Sequence, residues 1–192
     1  MKYIALLRGI NISGKNKISM SELKAELENN KYQNVVTYLN SGNIIFESNI
    51  DNKETIMKAI YIIIKNKFNL EIPVFIMTTT ELEDVLNHNP DWWGTGSKEI
   101  YDNLIFIIPP TKYEEVYNII GEPSKDIEKI EEYNNSIFWS FNLSKYRKAN
   151  WWIKTASTDI KDKITIRTAN TMRKVLELSK RKITINRRDL DE

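Results

Sequence analysis

The chain opens on an apolar run, Lys2 to Leu7, that is too short for a helix and reads as a buried strand. Polar and glycine-bearing residues follow as far as Lys17. Ser19-Met20-Ser21-Glu22 then has the spacing of a capping box, with Leu23 and Leu27 at i and i+4 of a helix that runs to about Asn30. Asn34 to Leu39 and Asn43 to Glu47 are strand-like and are joined by Asn40-Ser41-Gly42, a hairpin turn. Lys53 to Phe68 carries the helical period, and Ile72 to Thr78 is another strand. The order β-α-β-β-α-β is the ferredoxin-like pattern, which implies an antiparallel sheet.

The remainder repeats this order more loosely. Thr80 to His88 reads as a helix, Asn89 to Lys98 as a loop with Pro90, Gly94 and Gly96, and Tyr101 to Ile108 as a strand stopped by Pro109-Pro110. A helix at Lys112 to Ile120 precedes a hairpin, Ile127 to Tyr133 and Ile137 to Asn142, turning at Asn134-Asn135. A segment around Trp151 to Lys154, a short strand at Ile164 to Arg167 and a helix from about Asn170 to Lys180 complete the pattern. The expectation is an α+β protein of two α/β subdomains. Residues 1–79 form the first, residues 80–185 a looser variant with a basic C-terminal part, and residues 186–192 a tail.

Composition narrows the chemistry. At 192 residues and 41% hydrophobic content the chain can pack a core. Its apolar runs fall far short of the roughly 20 residues that span a bilayer, and its N-terminus is charged too soon for a secretory signal, so the expected compartment is the cytoplasm. The absence of cysteine removes disulfides, thiolate nucleophiles and zinc-thiolate sites. His88 is the only histidine, which excludes a two-histidine metal centre, and its place at the end of a helix favours a structural role. No metal or cofactor is expected. Charge is unevenly spread: residues 1–142 hold 14 Lys and Arg against 20 Asp and Glu, whereas residues 143–192 hold 14 against 6. A basic last quarter suits a phosphate-bearing partner, although a solvated helix face and a frayed tail account for it equally well.

The most informative stretch is Leu6 to Lys17, where a strand breaks into a basic, glycine-bearing loop before a helix start. Arg8, Lys15 and Lys17 supply charge, Gly9 and Gly14 supply accessible N–H groups, Asn11 and Asn16 supply amides, and the helix start adds unpaired donors. In a ferredoxin-like sheet the first two strands run the same way, so this loop and the Ser41-Gly42-Asn43 turn emerge together. A pair of ordinary turns is the alternative. Gly9 to Asn16 also fits G-x-x-x-x-G-K, yet Asn16 occupies the place of the magnesium-binding Ser or Thr and the helix does not follow directly, which argues against a nucleotide P-loop. A second strand-to-helix passage, Thr165 to Thr171, brings Arg167 and Asn170 to another helix start, with Arg173 and Lys174 close behind, so a negative partner is expected there, from a ligand or from the chain itself. Trp151-Trp152 among Lys145, Arg147, Lys148 and Lys154 has the character of a base-stacking surface, although burial is the commoner use of tryptophan. Adjacent carboxylates such as Glu114-Glu115 and Glu131-Glu132 point apart and give no acid/base pair.

Together, Leu6-Leu7-Arg8-Gly9-Ile10-Asn11, Gly14-Lys15-Asn16-Lys17-Ile18, Tyr38-Leu39-Asn40-Ser41-Gly42-Asn43 and Phe46 resemble the bacterial family catalogued as domain of unknown function 1697. The resemblance continues through Trp92-Trp93-Gly94, Tyr101-Asp102-Asn103, Ile137-Phe138-Trp139-Ser140, and Thr165-Ile166-Arg167 with Asn170-Thr171. It implies two α/β subdomains and no reaction. The chain departs from it at Thr168, where relatives usually have Asn, and at Ala169, where they often have Trp, so the resemblance supports Arg167 and Asn170 rather than those two positions.

The pattern favours a binder of phosphate-bearing partners, nucleic acid or nucleotide, acting through Arg8, Gly9, Asn11, Gly14, Lys15, Asn16, Lys17, Ser41, Gly42, Asn43, Arg167 and Asn170. An enzyme for a small phosphorylated or carboxylated metabolite is the alternative, its catalytic residues unknown and Asp102 the first carboxylate to remove. A protein-interaction module displaying tryptophans is the third reading, and an assembly of identical chains is compatible with all three.

Overall fold

A computed structural model of the protein describes residues 1–157 and 159–181; the expected tail at 186–192 lies outside the described residues. The described residues form two four-stranded antiparallel sheets. The first comprises β1 (Lys2–Leu7), β2 (Gln33–Tyr38), β3 (Asn43–Glu47) and β4 (Val74–Thr78) in the order β2-β3-β1-β4, with helices α1 (Met20–Asn29) and α2 (Lys53–Phe68) in its connections. After α3 (Thr79–Asn87) the second comprises β5 (Ile100–Ile107), β6 (Glu128–Tyr133), β7 (Ser136–Asn142) and β8 (Ile164–Thr168) in the matching order β6-β7-β5-β8. Its connections hold α4 (Tyr113–Ile120) and α5 (Asn150–Ser157), and α6 (Ala169–Lys180) follows.

Why β1 and β5 are nearly unbroken apolar runs follows from their place: each is a central strand covered on both faces. Tyr3, Ala5 and Leu7 pack beneath Leu23 and Leu27 of α1 and Ile56 and Ile60 of α2. Ile4 and Leu6 face the other sheet, where they meet Leu104, Phe106 and Phe138. Ile105 and Ile107 turn the opposite way, toward Val116, Ile120 and Trp151. The two sheets therefore sandwich a shared apolar layer, closed along one side by Val85 of α3 and Val175 of α6.

Most elements lie where the apolar pattern places them, and the differences have local causes. The fourth strand begins at Val74 rather than Ile72 because Pro73 has no N–H to extend the ladder, although its carbonyl accepts from Arg8 N–H at 3.0 Å. At α1, Ser19 Oγ accepts from Glu22 N–H at 3.3 Å. The full reciprocal capping box forms at α3, between Thr78 and Glu81. The segment around Trp151 is a helix, entered through a 3-10 turn at Leu143–Lys148, and a second 3-10 turn at Asp159–Asp162 leads into β8. No described helix is long and apolar enough to cross a membrane.

Candidate functional site

The parallel course of β1 and β2 brings the first loop and the hairpin turn together. Leu7 N–H donates to the Gly42 carbonyl at 2.8 Å, and Asn11 Nδ2 donates to the carbonyls of Asn40 and Ile18 at 2.9 and 3.0 Å. Asn11 Oδ1 accepts from Ile18 N–H in return, at 2.9 Å. The loop then closes on itself, with Asn11 N–H donating to Asn16 O, Lys15 N–H to Ile12 O and Asn16 Nδ2 to Gly9 O. Gly9, Asn11, Ser13, Gly14 and Asn16 all have positive φ, which explains the density of glycine and asparagine here. This small hairpin uses N–H groups that a P-loop would turn toward phosphate. It carries Gly14, Lys15, Asn16 and Lys17 as exposed residues.

Between the loop and α1 lies an open polar hollow of about 520 Å³, lined by Asn11, Lys17, Ser19, Ser21 and Asn40 among others. Asn40 of the hairpin turn lines it as well, and the following residues of that turn belong to a second cluster. Gly42 is indispensable to that turn: its φ is +77°, and a Cβ there would lie 2.6 Å from Leu7 Cβ.

The second cluster is centred on Arg167, which reaches from β8 across the joint between the sheets. Its Nε donates to Asn43 Oδ1 at 2.6 Å, one terminal nitrogen to Thr165 Oγ1 and Ile166 O, and the other to the carbonyls of Leu7, Ser41 and Gly42. Asn43, fully buried, completes its own bonding through Nδ2 to Tyr38 O and Ser41 Oγ. Every nitrogen of the guanidinium is thus used within the protein, and every acceptor is neutral. Burial, and then the nearby charge of Arg8, push the Arg167 guanidinium down to about 10, so it remains a cation at neutral pH. The chain order alone puts Arg167 at a second helix start; the structure gives its side chain to the first half.

Arg8 lies at the mouth of this joint. Its Nε donates to Lys161 O at 2.5 Å, and its terminal nitrogens have no hydrogen-bond partner among the described residues. Burial lowers its pKa, while Asp162 acts in the opposite direction. Positive potential is therefore concentrated where β1 ends. Asn170 stands apart, exposed on the first turn of α6, whose start is capped by Thr168 accepting from Thr171 N–H. The other cations of that turn are satisfied by the chain: Arg173 donates to Gly94 O at 2.9 Å and lies over Trp93, and Lys174 pairs with Glu177 at 2.8 Å.

The remaining candidates divide clearly. Trp151 is buried and donates to the Gly121 carbonyl, whereas Trp152 is 40% exposed against Tyr146, over whose ring Arg147 lies at 5.6 Å. Asp102 accepts a 2.5 Å hydrogen bond from Ser140 across β5 and β7. His88 caps α3, its Nδ1 2.8 Å from Asp84 O and its ring stacked on Tyr133. Among the described residues no group of acidic and histidine side chains converges to hold a metal ion.

Comparison with known proteins gives a family and a fold. A family model described as "Protein of unknown function (DUF1697)" matches residues 1–138. The conserved bacterial protein SP0830 from Streptococcus pneumoniae has a similar structure, with a TM-score of 0.82 and 28% sequence identity over 93% of this chain and 98% of that one. No curated protein matches.

Proposed function

We propose, for a chain that belongs to the DUF1697 family of proteins of unknown function, that it binds a phosphate-bearing partner, nucleic acid or nucleotide, where β1 meets α1. The observation that carries this reading is the pair of arginines at the joint: Arg167 is buried with neutral acceptors alone, and beside it Arg8 leaves its terminal nitrogens open. A dianion in front of Arg8 would offset both charges through charge-assisted hydrogen bonds. Lys15 and Lys17 on the projecting loop would take further phosphate oxygens, and Met20 and Ser21, which line the adjoining hollow from the first turn of α1, would offer it their N–H groups. Glu22 in that turn opposes an anion, so the cations carry the affinity.

In this reading Arg167 is a positioning residue, holding Ser41, Gly42 and Leu7 in place, and Arg8, Lys15 and Lys17 are the ligands. Nucleic acid is favoured over a free nucleotide by the exposed Trp152 and Arg147 and the half-buried Tyr146 of the basic last quarter, which offer a stacking surface.

A thermal-shift panel of pyrophosphate, magnesium nucleotides and short oligonucleotides tests the reading at low and moderate salt. Binding at one hundred times its dissociation constant stabilises by about 2.7 kcal/mol. The expected result is a salt-sensitive shift that shrinks when Lys15 and Lys17 are replaced together by Ala. No shift with any phosphate compound would overturn it.

A further inference from the structure

The second sheet repeats the first strand for strand, and the repeat isolates a difference at Met77. β4 and β8 are both edge strands of five residues, and each ends on the threonine that caps the next helix. Their registers on β1 and β5 set Ile76, Met77 and Thr78 against Ile166, Arg167 and Thr168. The same correspondence sets Leu7 against Ile107, and Ser41, Gly42 and Asn43 against Asn134, Asn135 and Ser136.

Each acceptor that Arg167 draws from the first half therefore has a counterpart in the second. Those counterparts, Ile107, Asn134, Asn135 and Ser136, all line a single cleft of about 1100 Å³. Ile76 lines it as well, the counterpart of Ile166, whose carbonyl Arg167 also takes. At the first joint these groups are bound by a guanidinium. In the cleft, Met77 stands in its place, with a thioether that donates no hydrogen bond.

The consequence is that polar groups on the cleft lack partners from the chain. Ser136 is 3% exposed, and its hydroxyl has no hydrogen-bond partner among the described residues. Because Arg8 N–H bonds to Pro73 O, the alternation of an antiparallel pair turns the N–H and carbonyl of Ile76 away from β1, where no described residue meets them. Phe75, Ile76 and Met77 point to alternate faces of the sheet yet all line the cleft, so it runs along the open edge of β4.

Charge on the rim agrees with a cationic occupant. Lys58 pairs with Glu54 and Lys53 with Glu81. That leaves Asp84, whose carboxylate is met by Tyr133 Oη, Asn134 Nδ2 and, at 3.4 Å, the His88 ring, with no described lysine or arginine against it. Met57, Phe75 and Val85 provide an apolar wall for an aliphatic stem.

We propose that this cleft binds a guanidinium group on an apolar stem, carried by a small free compound or by an arginine side chain of another polypeptide, in the place that Arg167 fills at the other joint. The planar fork of a guanidinium can reach several acceptors at once, which a point-like ammonium cannot.

The test is an amide-shift titration of the ¹⁵N-labelled full chain with n-butylguanidinium, with n-butylammonium, and with the blocked peptide acetyl-Gly-Arg-Gly-amide. Saturable shifts at Ile76, Ile107, Asn135 and Ser136 are expected with the guanidinium probes, with n-butylammonium weaker by about tenfold. A response to the free compound alone assigns a small ligand, and a response to the peptide assigns a polypeptide arginine. Ser136→Ala should weaken binding by about tenfold, and Met77→Arg, which supplies the group from within, should abolish it. Should Met77→Arg fail to fold, Ser136→Ala decides alone. Absence of saturable shifts with both guanidinium probes, equal binding of n-butylammonium, or indifference to Ser136→Ala would overturn the proposal.

Discussion

The two joints between the sheets are built from the same strands in the same register, yet one is filled and the other is open. At the first, β8 presents Thr165 and Arg167 to the end of β1 and its neighbouring turn, and a buried cation ties the halves together. At the second, β4 presents Phe75 and Met77 to the end of β5 and its neighbouring turn, and a cleft remains. A repeated backbone thus creates two equivalent places, and two side chains per strand decide whether each becomes a joint or a site. Residues along the same strands are otherwise alike in character, with Val74 and Ile76 answering Ile164 and Ile166.

Altering the joint residues should break the comparison most severely. Arg167→Met, which copies the open joint, leaves the carbonyls of Leu7 and Ser41 and Asn43 Oδ1 without their donor, and it should cost about 3 kcal/mol or more in urea unfolding. Met77→Leu at the corresponding position should cost less than about 1.5 kcal/mol. Similar losses for the two would show that Arg167 is no more than packing.

Next come the turns. Gly42→Ala should destabilise by roughly 2 kcal/mol, because the new methyl meets Leu7 at a left-handed backbone position. The counterpart Asn135 already carries a side chain at a φ of 59°, and its Oδ1 accepts from Tyr113 N–H at 3.1 Å. A fully tolerated Gly42→Ala would mean that the turn does not hold this close approach.

The helix caps after the two edge strands differ in their response to acid. Burial pushes the Glu81 carboxyl up, but the hydrogen bonds from Lys53 and Thr78 and the charge of Lys53 outweigh it and hold the carboxyl below its ordinary value. A depressed carboxylate stabilises the fold above its unfolded pKa, and that contribution disappears as pH falls through the folded value. Glu81→Gln should therefore cost, after solvent screening, on the order of 0.5 kcal/mol at neutral pH, and the difference should fade as pH drops through the folded value. The cap of α6, with Thr171 at the equivalent position, has no such dependence. An offset between wild type and Glu81→Gln that persists in acid would remove this distinction. Smallest of all should be the effect on stability of replacing Lys15 and Lys17, within about 0.5 kcal/mol, since both are exposed.

Local pattern carries much of this architecture. The bounds of β1 and α2 follow directly from their apolar periods, and the looser second repeat is visible in the order of its elements. The meeting of the first loop with the Asn40-Ser41-Gly42 turn is also legible, because strand direction alone brings the two together. Less accessible is the use of Arg167, since a strand-to-helix passage reads as local, whereas this side chain bonds across more than 120 positions. The alignment of Val-Phe-Ile-Met-Thr with Ile-Thr-Ile-Arg-Thr holds the available signal, an arginine where the first repeat has methionine. The cleft leaves no comparable trace, because it assembles α2, β4, α3, the end of β5 and the β6–β7 turn from separate parts of the chain.

The central functional claim is best tested by measuring fluorescence anisotropy of a labelled single-stranded oligonucleotide against salt, for wild type and for the Lys15→Ala, Lys17→Ala double variant. Counterion release predicts affinity falling with salt, with a slope shallower in the variant by roughly 0.7 for each phosphate it no longer neutralises. Binding that ignores salt, or identical slopes for the two proteins, would contradict a phosphate site at this loop.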